Sequence, residues 1–447
     1  MNSPKLLSQC DSLQSERWNE IQLEVENVSA SVEDDSCSVA SYDSKASTIN
    51  NGHESFETFQ HKVKDLVRSV LMLSDEYTIE TDYIRGGSFN RVVGITIIPA
   101  ESDSATIAWK KFKSVFQKAL GHSSKQKISA PSGYVLRIPR RCHTEAFEQD
   151  RVNLEFVSHQ VPYPVPRVVA HSQESQNPIG TGYLLQTRIA GQSLTDLFPS
   201  LNAAHWRSAT RQITQIMMDI GKITNPCPGL IDTRNTTNKL KHNVRIAAFP
   251  IMTGDFFDTD PTLSKPQTTY ELLMEMFRQQ QENYGIESDM PTWERVQLVI
   301  TQMHNLGLLP DEDHFHLVHL DIAFRNLMAT ITSDTEVQIT GIIDWDETEF
   351  APKFVSHKAP IFLWAKSHWD EEQALEDPED LEDGENKKIF EQMAGPEYLK
   401  YAYGLEYIVA RVIWQVLRYG MGERITREHL IEYLDKFEKL HPPEASS

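Results

Sequence analysis

The sequence predicts an α+β chain in two parts, a small antiparallel β-sheet lobe followed by a mainly helical lobe. Three observations lead there. Apolar runs bounded by turn residues, the signature of strands, crowd into residues 83–98, 134–139, 167–170 and 182–189. Beyond residue 190 the pattern changes to apolar residues at helical spacing, over 205–223, 268–284, 291–306, 396–421 and 425–440. Among those helices stands one hairpin-like segment, 327–343, with its turn at Ser333-Asp334-Thr335.

Length and composition bound the possibilities. A chain of 447 residues with 40% hydrophobic content and eight Trp can bury a substantial core. A net charge of −21 argues against a nucleic-acid partner, because phosphate backbones demand Lys/Arg patches. No apolar run reaches the roughly 20 residues of a membrane span. The four cysteines, Cys10, Cys37, Cys142 and Cys227, form no CxxC pair and read as reduced thiols. The N-terminus has neither an apolar signal core nor an Arg-rich character, so a cytoplasmic location is expected. Oligomeric state is not legible.

The elements follow in order. Residues 1–55 are rich in Ser, Asp and Glu, too poor in apolar side chains to offset the entropy of ordering, and read as a disordered acidic tail. The N-lobe is expected over 56–189. It opens with a helix at 55–73 whose apolar positions are Phe59, Val63, Leu66, Val67, Val70 and Leu71. In YIRGGSFNRVVGITII, 83–98, two strands flank Gly86-Gly87-Ser88, where a backbone free of Cβ can approach a phosphate. A plain β-turn would read the same way. Residues 101–132 form an insertion with a Lys-rich core. The strand Tyr134–Pro139 carries Arg137, and the helix 145–160 carries Glu155. The C-lobe is expected over 190–440, with a Pro/Thr/Asp-rich loop at 226–266 holding Asp255, Asp258 and Asp260, an acidic loop at 370–387 and a frayed tail at 441–447.

The chemistry concentrates in HFHLVHLDIAFRNLMATITSDTEVQITGIIDWD, 314–346. The apolar run Leu317–Leu320 delivers Asp321; Asn326 follows five residues on, at the foot of the hairpin; the returning strand delivers Asp344. Arms of equal length bring the two ends of a hairpin together, so Asn326 and Asp344 are expected to be neighbours. A carboxylate and an amide on strand ends suit Mg²⁺, which takes oxygen ligands and retains waters and substrate phosphates. A further carboxylate can accept the proton of an attacking hydroxyl. Asp, Asn five residues on, then a later Asp is the phosphoryl-transfer pattern. The bland alternative is a surface hairpin whose Asp and Asn simply favour turns. It leaves unexplained why Asp321 and Asp344 each follow an apolar run, where a carboxylate is costly to desolvate without a partner. His304, His314, His316 and His319 are close in sequence, but their alternation along a strand-like run does not suit a tetrahedral zinc site.

The stretches HLDIAFRN and GIIDWDETEFAP resemble the aminoglycoside phosphotransferase family, in its fungal branch related to choline kinases. The resemblance implies a bilobal protein-kinase-like fold, binding of ATP and Mg²⁺, and phosphorylation of a hydroxyl on a small molecule. It implies that Asp321 is the base, that His319 supports the loop, and that Asn326 and Asp344 hold magnesium. GSFNRV resembles the phosphate loop of fungal members, which gives Gly86, Gly87 and Ser88 a nucleotide role. Arg137 stands where protein kinases carry a Lys paired with a Glu of the next helix, here Glu155. Gln186–Ala190, with Thr187 and Ile189, stands where the hinge would meet an adenine edge. The chain departs from the pattern at Leu320, where antibiotic kinases usually carry Gly and protein kinases Arg. Two alternatives stay open: a catalytically silent kinase-like scaffold, and a protein kinase. The latter is disfavoured because no activation segment follows Asp344.

Overall fold

The computed structural model describes residues 54–84, 86, 90–99, 132–140, 144–235, 240, 243–250, 252–253, 256–257, 262–284, 290–310, 314–365, 371–421 and 425–442. The tail 1–53, the Lys-rich insertion 101–131, Gly87, Ser88, Asp255, Asp258, Asp260 and residues 443–447 lie outside the described residues. The chain divides into two compact units. Unit 1 ends with Pro166–Ile189, and unit 2 comprises Val152–Val165 and Ala190–Ser447.

Unit 1 is a five-stranded antiparallel sheet of β1 (Tyr77–Ile84), β2 (Asn90–Pro99), β3 (Ser132–Pro139), β4 (Val168–Ser172) and β5 (Tyr183–Thr187), in the order β1-β2-β3-β5-β4. β2 pairs with β1 on one edge and β3 on the other, and its alternating Val93, Ile95 and Ile97 are fully buried. Helix α1 (Phe56–Val70) begins at Ser55, whose hydroxyl accepts the Thr58 amide. Its Phe59, Val63, Leu66 and Val67 join the core of the sheet. Each such side chain contributes roughly 1.5–3 kcal/mol, enough to fix the helix on the sheet.

Helix α2 (Thr144–Gln160) leads from unit 1 into the first stretch of unit 2. Unit 2 continues with β6 (Gln192–Ser193), the single turn α3 (Leu194–Leu197), α4 (Ala203–Gly221), β7 (Thr224–Asn225), β8 (Gly229–Ile231), β9 (Ile246–Ala247), β10 (Met252–Thr253) and β11 (Phe256–Phe257). Then come α5 (Thr269–Tyr284), α6 (Met290–Asn305), β12 (Phe315–His319), β13 (Leu327–Ile331), β14 (Val337–Ile342), β15 (Thr348–Ala351) and α7 (Lys353–Ser356). The chain closes with α8 (Leu381–Tyr403), α9 (Leu405–Tyr419) and α10 (Arg427–Leu440). Two antiparallel sheets organise the site: β7-β12-β15-β8-β9, and β14-β13-β6. No described helix is long and apolar enough to cross a membrane.

Three expectations need correction. The segment 226–266 is not all loop; it contributes β8 and β9 to the larger sheet. The acidic stretch 370–387 is not all loop either. Asp380 caps α8 by accepting the amides of Glu382 and Asp383, at 2.8 and 3.2 Å, and the acids of the first turn face the positive end of the helix dipole. The single helix expected over 396–421 is broken at Gly404, and Gly395 inside α8 has φ 74°.

Candidate functional site

β12 is buried along its whole length. Inside it, His316 Nδ1 lies 2.6 Å from the Gly221 carbonyl at the end of α4. The strand stops at His319, and the Leu320 amide donates to the Glu347 carbonyl at 3.0 Å. The connector then tightens into a 3-10 turn, Phe324–Asn326. Asn326, buried, closes the loop: its Nδ2 donates to both the main-chain carbonyl and Oδ2 of Asp321, each at 2.8 Å. The other carboxylate oxygen of Asp321 accepts from the Arg325 guanidinium.

β13 and β14 form the expected hairpin, with Leu327 opposite Ile342 and a bulge between Met328 and Ala329. The ladder extends one step further, because the Ile343 amide donates to the Asn326 carbonyl at 2.9 Å. Asp344 is therefore the next residue beyond Asn326's backbone partner. Its φ is 65°, a left-handed conformation that Asp and Asn tolerate best among residues with a Cβ. That turn carries Asp344 outward, where it is exposed, while Trp345 plunges into the core at 1% exposure.

His319 ties the end of β12 to the end of β14. Its Nε2 donates to the Ile343 carbonyl at 3.1 Å, and its Nδ1 accepts the Asp321 amide at 3.2 Å. A carbonyl can only accept and an amide N–H can only donate, so both bonds require the neutral Nε2–H tautomer. Burial pushes the imidazole pKa below 6.5, against the pull of the Ile343 carbonyl and of Asp321 and Asp346. The Trp345 ring lies against the imidazole, centroids 4.6 Å apart, with its Nε1 donating to the Ile342 carbonyl at 3.1 Å.

Several contributors escaped sequence reasoning. Strand β15, with Thr348 opposite His319, ties the segment after Asp344 back to β12. Asn153, fully buried on α2, donates to the carbonyls of Trp345 and Asp346 at 3.2 and 2.9 Å. A buried Asn in the run Val152-Asn153-Leu154 was the available signal, since buried amides are there to be bonded. Arg325 was visible only as a residue between Asp321 and Asn326.

In unit 1, a Cβ on Gly86 would meet the Asn90 carbonyl at 2.4 Å, so only glycine fits there. Arg137 forms an ion pair with Asp150, 3.7 Å away on α2, a residue the sequence did not single out. Thr187 Oγ1 accepts the Arg167 amide at 2.9 Å, and Ile189 is the last residue of the unit. Glu155 lies in unit 2, half-buried, with its main-chain carbonyl accepting the Ser158 hydroxyl at 2.8 Å.

Comparison with known proteins adds three findings. Two curated relatives from strains of Aspergillus fumigatus, both named subtelomeric hrmA-associated cluster proteins, are 23% identical over 295 and 296 residues. The matches cover 54% of this chain and 57% of each relative, so the chain spans little more than half the length of those relatives. Among solved structures, the GDP and kanamycin complex of the aminoglycoside phosphotransferase APH(2")-IIia is 12% identical, with a TM-score of 0.40, covering 85% of this chain and 99% of that one. Aminoglycoside phosphotransferase APH(4)-Ia is 14% identical, with a TM-score of 0.42, covering 87% and 100%. The family model described as "Phosphotransferase enzyme family" matches residues 121–352, just over half of the chain. That span contains β3, the loop from Asp321 to Asn326 and the hairpin that ends at Asp344. With the family model matched over more than half of its length, and with one antiparallel sheet unit and one mainly helical unit in an α+β arrangement, the chain belongs to the phosphotransferase enzyme family.

Proposed function

We propose that this chain is an ATP- and Mg²⁺-dependent phosphotransferase that phosphorylates a hydroxyl of a small molecule. The observation that carries the proposal is the closure of one short loop. Asn326 clasps Asp321, and the backbone ladder from Asn326 runs directly to Asp344. In this reading Asp321 accepts the proton of the substrate hydroxyl as its oxygen bonds to the terminal phosphorus, while the bond to the bridging oxygen of ATP breaks and ADP departs. His319 holds the Asp321 backbone in place. Gly86, Gly87, Ser88 and Arg137, the last paired with Asp150, hold phosphates, and Thr187 and Ile189 meet the base of the nucleotide.

The donor set fits Mg²⁺. Asn326 commits its amide nitrogen to Asp321, so the amide oxygen is the atom it offers a hard cation, and Asp344 adds a carboxylate. Bound there, the ion would neutralise phosphate charge; the remaining ligands would be water and phosphate oxygens. A protein-kinase reading is disfavoured by β15, which begins four residues after Asp344 and leaves no segment to carry a regulatory phosphate.

Transfer of label from γ-labelled ATP to a broad panel of small alcohols tests the proposal, with calorimetry of Mg·ATP binding alongside. Asp321→Asn should lower transfer about 10²–10⁴-fold while nucleotide binding persists. Asp344→Asn, chosen because Asn keeps the left-handed backbone, should abolish the magnesium dependence of nucleotide binding. Tight Mg·ATP binding with no turnover across the panel would identify a scaffold instead.

A further inference from the structure

The larger sheet of unit 2 carries a second constellation at the same end as Asp321. Its register defines rows across the strands. Val318, Glu349, Leu230 and Ala247 form one row, and His319, Thr348, Ile231 and Ile246 the next. The row beyond is built by single bonds: Leu320 donates to Glu347 across one strand pair, and Asp232 donates to Arg245 at 3.0 Å across the other. Asp232 thus stands two strand spacings, roughly 10 Å, and Arg245 three, roughly 14 Å, from the backbone that carries Asp321.

Asp232 is fully buried, yet it binds two cations that are not. Its Oδ1 accepts Nε of Arg234 at 2.8 Å, and its Oδ2 faces a terminal nitrogen of Arg245 at 3.2 Å; the arginine side chains are 44% and 34% exposed. Burying a carboxylate costs several kcal/mol unless it is well paired. The turn itself needs only an acceptor for the Arg234 amide, which Oδ1 supplies at 3.0 Å. Asn235 completes the frame. It donates to the carbonyls of Asp232 and Arg245 at 2.7 and 2.8 Å and accepts the Arg245 amide at 2.9 Å. The two frame bonds that reach Arg245 use its backbone, so its guanidinium is not needed to build the frame. One buried carboxylate under two partly exposed guanidiniums leaves a trio with net positive charge, pinned in orientation. Glu347, on the segment leading into β15, stands in the same row of the sheet, one strand spacing from Asp232.

We infer that Arg234 and Arg245 form the anion-binding half of the acceptor site, so that the molecule phosphorylated carries a carboxylate or a phosphate group as well as the reacting hydroxyl. The inference deepens the phosphotransferase reading and rests on it for the identity of the reaction. Guanidinium pairs suit both anions because each offers parallel N–H donors to two oxygens. Asp232 is a positioning residue; it touches the arginines and not the acceptor.

The test uses the full chain and reads binding apart from turnover. Protection against thermal unfolding is titrated with tartrate, a hydroxycarboxylate, with glycerol 2-phosphate, an alcohol phosphomonoester, and with ethanolamine as the cationic control. One or both anions should protect, and ethanolamine should not; which anion protects tells the two chemistries apart. Arg245→Gln and Arg234→Gln should each weaken that protection about tenfold or more, the loss of a charge-assisted hydrogen bond. Each Gln variant leaves the buried Asp232 one guanidinium short and should unfold at a lower midpoint without ligand, so protection is read as the ligand-induced shift from each protein's own midpoint. Arg245→Lys should recover only part of the loss, since a point charge cannot replace a fork. Protection that is absent for both anions, or unchanged in both Gln variants, overturns the inference. If the anions protect but no label moves from ATP to either, the phosphotransferase reading fails and the anion site stands.

Discussion

His319 shows how much one neutral ring can organise. It donates to the strand that ends at Ile343 and accepts from the loop that begins at Asp321, so protonation of Nδ1 would replace an acceptor with a second donor aimed at an N–H. Burial is the main reason its pKa lies below 6.5. The sign of the pH effect follows. In the unfolded chain the imidazole titrates near its ordinary value, so below that pH the unfolded state binds a proton that the native state resists. Stability is therefore fully present above about pH 6.5 and declines as pH falls toward the lowered native value, by at most about 1.4 kcal/mol per pH unit for one proton. Urea unfolding of the parent chain at pH 7.5 and 5.5 should show this decline. His319→Gln, which can still donate and accept, should show a shallower one. Equal pH dependence of the two proteins would mean that other groups set the slope.

Among the elements, β15 matters most and was hardest to see. It spans four residues, Thr348–Ala351, all buried, and includes Glu349. That carboxylate is 1% exposed and pairs with Arg418 of α9, Nε to Oε2, at 3.3 Å. Burial raises the Glu349 pKa more than Arg418 lowers it, so the pair is costly to desolvate and incompletely compensated. Removing one partner should therefore cost more than removing both. Glu349→Ala should destabilise by about 3–5 kcal/mol by stranding Arg418, whereas Glu349→Leu with Arg418→Leu should lie within about 1 kcal/mol of the parent or above it. Denaturant midpoints of the three proteins decide the matter, and additive losses would refute the coupling. The same strand shows what the sequence can reveal. β12, β13 and β14 were legible because each is a run of five or six residues closed by turns, and the spacing from Asp321 to Asn326 could be counted. β8, β9 and β15 were not, because two to four residues carry no periodicity and their pairing is set by distant partners. The start of α8 was hidden for another reason: acids that look solvated are also the residues that suit a helix N-terminus. Gly395 and Gly404 each offered a mark of the break that apolar spacing alone runs across. The roles of Asn153 and Asp150 depend on tertiary contact, which one sequence does not display.

The whole molecule is not divided where the chain changes from strands to helices. Unit 2 takes in Val152–Val165, ahead of the last strands of unit 1, as well as everything from Ala190. That early stretch supplies bonds the β13–β14 hairpin cannot replace. Asn153 satisfies the carbonyls of Trp345 and Asp346, the Pro164 carbonyl accepts the Ile342 amide at 3.0 Å, and the Tyr163 hydroxyl donates to Asp219 at 2.7 Å. Phe156 packs edge-to-face on Phe350 of β15 at 5.8 Å. Leu154, Phe156, Val157 and Val161 are all buried. Together these four side chains contribute on the order of 10 kcal/mol, comparable to the 5–15 kcal/mol of net stability an ordinary domain has. A fragment of residues 190–447 contains the whole loop from His319 to Asp344, and it should nonetheless fail to unfold cooperatively on heating or in urea. A synthetic peptide of residues 144–165 added in trans should restore a sigmoidal transition whose midpoint rises with peptide concentration, as linkage requires. A sharp transition from the fragment alone, unaffected by the peptide, would show that the helical unit holds its site together without the earlier stretch.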